Sequence, residues 1–195
     1  MPSAADHIGA PGKPDPLGLS AALAAGELRL EPLEERHRED LRAACAEDAE
    51  IWQMYGLSYD PDHFDASFGG LIAMPERLSF AILVGGELAG MTAWIAPDVK
   101  HRSAEIGNTY LRPKFRGGAV NGPLKQLMLR HGFACGLKRM FFSVDTRNAR
   151  SLAACAKIGA SLDGVLRNHM ITWTGYERDS AIYSVVERDR EKLGL

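Results

Sequence analysis

Apolar positions change their period along the chain, and each change marks an element. Leu28-Arg29-Leu30-Glu31-Pro32-Leu33 alternates apolar and polar side chains, which predicts a short strand with one buried face. Between Glu35 and Asp48, Leu41, Ala44 and Cys45 stand at helical spacing among charges, and a second helical stretch from Phe64 to Met74 is stopped by Pro75. The period then shortens. Ser79–Val84 and Leu88–Ile95 read as strands joined by Gly85-Gly86, a pair suited to a tight hairpin. Pro97 and Asp98 open a polar loop, and Ser103–Leu111 is a further strand ended by Pro113.

A glycine-containing loop, Arg116-Gly117-Gly118-Ala119-Val120-Asn121-Gly122, leads into a helix with Pro123 in its first turn and Leu124, Leu127, Met128 and Phe133 on an apolar stripe. Met140–Val144 is short and strongly apolar, which predicts a strand buried on both faces. A short helix from Asn148 or Ala149 to Gly159 follows, then two long strands, Leu162–Trp173 and Arg178–Val186, with Gly175 in the turn. The predicted order is strand, two helices, a three-strand meander, helix, strand, helix and a closing hairpin. That order implies one α/β domain with a mostly antiparallel sheet covered by helices.

The first 19 residues are rich in Pro, Gly and small polar residues and carry no period, so a flexible tail is expected over residues 1–25, with the folded domain over 26–195. A chain of 195 residues needs only one core. A net charge of -2 gives no global attraction to nucleic acid or to a membrane surface. No apolar run approaches the roughly 20 residues that span a bilayer, and the start lacks the basic head of a secretory signal. The three cysteines form no CxxC and the six histidines no HxxxH or HxxH, so reduced thiols, a cytoplasmic location and no metal are expected.

Charge is uneven locally. From Ile106 to Val144 there are seven basic residues (Arg112, Lys114, Arg116, Lys125, Arg130, Lys138, Arg139) and no Asp or Glu. They surround a glycine loop that enters a helix N-terminus, where unpaired N–H groups and the helix dipole favour an anion. A P-loop is excluded because Pro123 stands where its lysine belongs, and the GxGxxG dinucleotide pattern is absent. An ordinary strand-to-helix turn flanked by solvated charges is the plain alternative.

Arg116-Gly117-Gly118-Ala119-Val120-Asn121 resembles the pyrophosphate motif of the GNAT acetyltransferases, and in the form R-G-x-G-x-N that of their RimJ/RimL branch. Further similarities follow in the same order. Lys125–Phe133 resembles K-x-L-L-L-x-H-A-F, Asp145–Ser151 resembles V-D-x-x-N-x-R-S, and Gly164–Arg167 and Arg178–Ser184 resemble G-V-L-R and R-D-x-x-x-Y-S. Ala119 departs from the more frequent glycine. The resemblance covers about Leu28 to Glu187 and implies a twisted, mixed sheet of about seven strands flanked by about four helices.

It also implies a function: transfer of an acetyl group from acetyl-CoA to a primary amine, on a peptide N-terminus or a small molecule, by direct attack in a ternary complex. A catalytically weak acyl-CoA sensor or structural module on the same fold is the alternative. The cofactor set implied is Thr109, Tyr110 and Leu111 on the strand, Arg116, Gly117, Gly118, Ala119, Val120, Asn121 and Gly122 in the loop, and Asn148 with Ser151 on the short helix. Ser151 is the implied proton donor to the departing thiolate and Asn148 a loop-ordering residue, although both also suit helix capping. Glu105, with Gly107 on the same strand face, is the candidate base, and Tyr183 a further proton donor or a core residue. Trp52, Tyr55 and Tyr59 are candidates for either an acceptor pocket or the core, and His101 and His169 read as surface residues. A homodimer paired through the last two strands is left open by the same resemblance.

Overall fold

A computed structural model of the chain describes residues 13–117 and 119–195. In chain order it contains β1 (Leu23–Ala25), β2 (Leu28–Pro32), α1 (Arg38–Ala46), α2 (Phe64–Ala73), β3 (Arg77–Val84), β4 (Glu87–Asp98), β5 (Ser103–Leu111), α3 (Asn121–Ala134), β6 (Arg139–Asp145), α4 (Ala149–Lys157), β7 (Ser161–Ile171), β8 (Glu177–Val186) and α5 (Arg190–Leu193). The strands form one sheet in the order β1-β2-β3-β4-β5-β6-β8-β7. Every neighbouring pair is antiparallel except β5 and β6, which run parallel.

Period-2 alternation divides the sheet between two helical layers. Leu78, Phe80 and Ile82 of β3, Trp94 of β4 and Ile106 of β5 pack beneath α3 with Leu124, Met128 and Phe133. On the opposite face, Ala81, Met91 and Tyr110 pack against Leu41 and Cys45 of α1 and Phe64, Phe68 and Leu71 of α2. Trp52 and Tyr59, between those two helices, are 0% exposed and complete this second core. The choice between pocket and core is thereby settled for both residues.

Three expectations need correction. Residues 13–25 are not a flexible tail. Leu19 is wholly buried, Asp15 accepts N–H bonds from Leu19 and Ser20, and β1 pairs with β2. The buried Lys13 ammonium donates to the carbonyls of Leu71 and Arg77, both at 2.7 Å. Composition hid this because the anchoring contacts are isolated residues and carry no period; residues 1–12 of the expected tail lie outside the described residues. With β1 the sheet has eight strands among the described residues, one more than expected. Nor is β6 buried on both faces: Met140, Phe142 and Val144 are buried, whereas Arg139, Phe141 and Ser143 are half-buried. The sheet ends at β7, on which Leu162, Val165, Leu166 and Ile171 are exposed.

Candidate functional site

β5 and β6 are the two strands that do not stay together. Their pairing runs from Ser103/Arg139 to Glu105/Phe141 and stops, so Ile106–Leu111 and Phe142–Asp145 diverge. A bulge on β5 marks the change: Gly107 faces Ala93 and Tyr110 faces Met91, leaving Asn108 and Thr109 opposite the single residue Thr92. Asn108 sits at φ +49°, a left-handed conformation that Asn tolerates better than most residues. A bulge re-aims a strand, and here it turns β5 away from β6. Between them lies a cavity of about 290 Å³ lined by residues from both strands, α3, α4 and the segment before α2.

The backbone of β5 on the cavity side is partly committed. The Arg112 N–H donates to Ala89 of β4, so by strand alternation the polar groups of Leu111 and Thr109 face the gap. There the Thr109 carbonyl accepts from the Tyr55 hydroxyl at 2.6 Å, and the Leu111 carbonyl from Arg116 Nε at 2.7 Å. Tyr55 therefore closes one wall of the cavity, while the Tyr110 side chain points into the second core with its hydroxyl on the Ala44 carbonyl at 2.6 Å.

Glu105 occupies the last paired position of β5 and lines the cavity floor. Burial raises its carboxyl above the ordinary range, against the opposing pull of Arg178, the Ser143 N–H, Arg77 and Lys125. The room above Gly107 is already used: a Cβ there would stand 2.7 Å from Ile95 Cδ1 and 2.8 Å from Glu105 Oε1. Glycine at 107 thus makes space for the Glu105 carboxyl itself.

Across the gap, Lys125 projects from α3 and is 7% exposed. Its ammonium donates to Thr109 Oγ1 at 2.6 Å, which lies 2.8 Å from Thr92 Oγ1. Burial pulls its pKa down to about 8. Ser151 and Asn148 line the same cavity from the start of α4, and the Ser151 N–H donates to Asn148 Oδ1 at 3.0 Å. Asn148 is therefore the N-cap of α4, as its residue type suggested. Cys155, one turn further along, also lines the cavity, and burial raises its thiol to about 11.

The loop before α3 presents the helix N-terminus at one end of the gap. Gly117 takes φ +94°, Asn121 begins the helix and lines the cavity, and Val120 is buried in the core. Ala119 is exposed and Gly122 half-buried, while Gly118 lies outside the described residues. The first-turn N–H groups of a helix lack intrahelical acceptors. The side-chain charge of this region is largely neutralised by acids distant in sequence. Arg112 pairs with Glu47 and Glu87, Lys114 with Glu87, Arg116 with Asp48, Lys138 with Glu187, and Arg139 with Asp163. A stretch without acids in sequence is thus not a positive field in space, and the Arg116 guanidinium serves to tie the loop to β5.

Glu105, Thr109, Asn121, Asn148 and Ser151 are therefore brought to one cavity. Tyr183, half-buried against the α3-side core, is outside its lining, and His101 and His169 are exposed. Sequence reasoning did not single out Arg77, Lys125 or Arg178 as cavity residues. For Lys125 a signal existed, since it lies four residues before Leu129 and three before Met128, within the apolar face of α3.

A family model described as the acetyltransferase (GNAT) domain matches residues 27–161. The uncharacterized N-acetyltransferase YoaA of Bacillus subtilis (strain 168) is 34% identical over 102 residues, 52% of this chain and 56% of that protein, so the match spans little more than half the length of this curated relative. A crystal structure from T. thermophilus, assigned to the acetyltransferases, superposes with a TM-score of 0.81 at 33% identity, covering 88% of this chain and 92% of the other. The fold is shared with Mycobacterium smegmatis RimJ, solved in complex with CoA-disulfide, at a TM-score of 0.71, 22% identity and 87% coverage of each chain.

Proposed function

The chain belongs to the GNAT acetyltransferase family, and we propose that it transfers an acetyl group from acetyl-CoA to a primary amine in a ternary complex at the gap between β5 and β6. The observation that carries this reading is the parting of the two strands after Glu105/Phe141, with the α3 N-terminus at the gap and a half-buried carboxyl on its floor. The residues fit the co-substrate. The α3 first turn suits a pyrophosphate, and the gap-facing N–H groups of Thr109 and Leu111 suit an extended amide-bearing arm. Acetyl-CoA supplies the activated acyl group as a thioester.

The chain's own groups would then act in sequence. Glu105, as carboxylate, takes a proton from the acceptor's ammonium, directly or through one water, so that a neutral amine attacks. N–H groups of the gap-facing β5 edge and the Lys125 ammonium stabilise negative charge growing on the carbonyl oxygen side. Ser151 gives its hydroxyl proton to the departing sulfur and recovers one, through water, from the acceptor nitrogen as the amide forms, while Asn148 holds the α4 terminus that positions it. A peptide α-amine, with pKa near ~8, is roughly a tenth neutral at pH 7, so such an acceptor would lean less on Glu105 than a lysine-type amine near ~10.4.

Saturating CoA is the first test. At a hundredfold excess over its dissociation constant it is expected to add about 2.7 kcal/mol of apparent stability, read as a rise in melting temperature, with ATP giving a smaller shift. No shift with CoA would overturn the assignment. A chain that binds CoA but releases no thiol with any amine would be the sensor instead.

Ser151→Ala is expected to lower turnover by about tenfold to a thousandfold with CoA affinity nearly unchanged. The Asn148 cap bonds the backbone N–H of residue 151, not its hydroxyl, so the substitution leaves that cap intact. Melting temperature and single-turnover rate measured on one preparation check this. An active variant with wild-type turnover would remove Ser151 from the proton path.

A further inference from the structure

The charge inside the cavity does not balance, and the imbalance bears on what the acceptor must carry. Arg77, Ile95 and Glu105 are directly opposite one another across β3, β4 and β5, which places Arg77 and Glu105 on one face of the sheet. Arg178 approaches Glu105 from the β8 side, and both arginines line the cavity. Arg178 is 6% exposed. It donates through Nη2 to the Ser143 carbonyl at 2.8 Å and, more weakly, to Ser143 Oγ at 3.4 Å, but its buried Nε has no partner among the described residues.

Among the described residues neither Arg77 nor Arg178 forms an ion pair within 4.0 Å. The acid exerting the strongest pull on Arg178 is Asp145, which is 2% exposed and committed to Arg147 through the Arg147 N–H, Nε and Nη2. Among the described residues, Glu105 is then the single carboxylate of the lining without an ion pair, facing Arg77, Arg178 and Lys125. A buried guanidinium without a counter-ion is costly, and burial does push the Arg178 pKa down. Planar guanidinium groups with free N–H donors match carboxylate and phosphate oxygens.

We propose that the acceptor is a small amine that also bears an acid group, a carboxylate or a phosphate, and that Arg178 receives this group, assisted by Arg77, while Glu105 faces the amine. The inference rests on the acetyl-transfer reading above and narrows it. A polycation such as a polyamine or aminoglycoside would add positive charge to a cavity already in excess, whereas an acid-bearing amine supplies the missing counter-charge.

The test uses matched acceptors: amino acids against their decarboxylated amines, and phosphoethanolamine against ethanolamine, with CoA release from acetyl-CoA as the readout. At least one acid-bearing member is expected to exceed its acid-free partner by tenfold or more in kcat/KM, and the better of the carboxylate and phosphate series identifies the group. Arg178→Gln should raise KM for that acceptor at least tenfold and bring the ratio within its pair close to one, with CoA affinity unchanged. Arg77→Gln should reduce the same ratio and serves if the first variant does not fold. Binding of the same acids to the CoA-loaded protein is followed by thermal shift. Acid-free amines preferred by the wild type, a ratio unchanged in both variants, or no acid bound to a protein that does bind CoA would each overturn the proposal. Failure to bind CoA at all would instead remove the acetyl-transfer reading.

Discussion

Glu105→Gln is expected to lower kcat/KM for amine acetylation by about 10²- to 10⁴-fold, the range ascribed to a positioned general base, while CoA affinity is preserved. The carboxyl is held at the point where β5 leaves β6, in the space that Gly107 leaves for it, and it lies in the cavity wall shared with Ser151. Glutamine keeps the shape and one acceptor oxygen but cannot take a proton. Burial raises the Glu105 pKa, so the base is present as carboxylate only above that raised value, and wild-type kcat/KM should climb with pH through it. The glutamine variant should lose that limb and retain only the rise set by the acceptor's own amine.

Stability moves the other way. A carboxyl whose pKa is raised on folding favours the native state while protonated, and this contribution is lost as pH rises through the folded pKa. At pH 7 to 8 Glu105→Gln should therefore fold at least as well as the wild type. pH–rate profiles and melting curves on the same two proteins check both statements. Unaltered kcat/KM with an unaltered profile would mean that solvent deprotonates the acceptor and that Glu105 is only the cavity floor.

What sequence reasoning reached, and what it missed, follows from the range of each interaction. The long elements were legible through their apolar residues: α3 buries Leu124, Met128, Leu129 and Phe133 at helical spacing, and β3 and β4 are mostly apolar runs buried on both faces. β1 escaped because three residues, Leu23–Ala25, are too few to show a period, and the anchors before it, Lys13 and Asp15, are isolated residues that each work through two hydrogen bonds. The glycine loop was legible through its glycines and the following helix. Its apparent positive charge was misleading, because the acids that neutralise it, Glu47, Asp48 and Glu87, arrive from other parts of the chain. Gly107 does share the Glu105 face, but the room it leaves is filled by the Glu105 carboxyl and Ile95. Arg77 and Arg178 look like ordinary strand charges in sequence; only the register of five strands brings them to the same cavity.

The bulged edge of β5 depends on a close approach that a single methyl group should destroy. Gly90 of β4 pairs with Leu111 and adopts φ +156°. A Cβ built there would stand 2.0 Å from the Tyr110 carbonyl oxygen, 2.9 Å from its carbon and 3.1 Å from Leu111 Cα. All three are backbone atoms, so no rotamer change can relieve the overlap, and β4 must part from β5 where Thr109, Tyr110 and Leu111 shape the gap. Gly90→Ala is accordingly expected to cost about 3 kcal/mol or more, lowering the melting temperature by roughly 6 °C or more in a chain of this size. CoA affinity should fall with it, since the gap-facing edge of β5 would shift. Gly86→Ala provides the comparison: φ is +86° there and nothing lies within 4 Å of the added Cβ, so only the backbone penalty of about 1–2 kcal/mol applies. Urea midpoints and CoA titrations of the two variants separate steric overlap from conformational preference. If Gly90→Ala proved no more destabilising than Gly86→Ala, the close packing of β4 on the bulge would not be what holds the gap open.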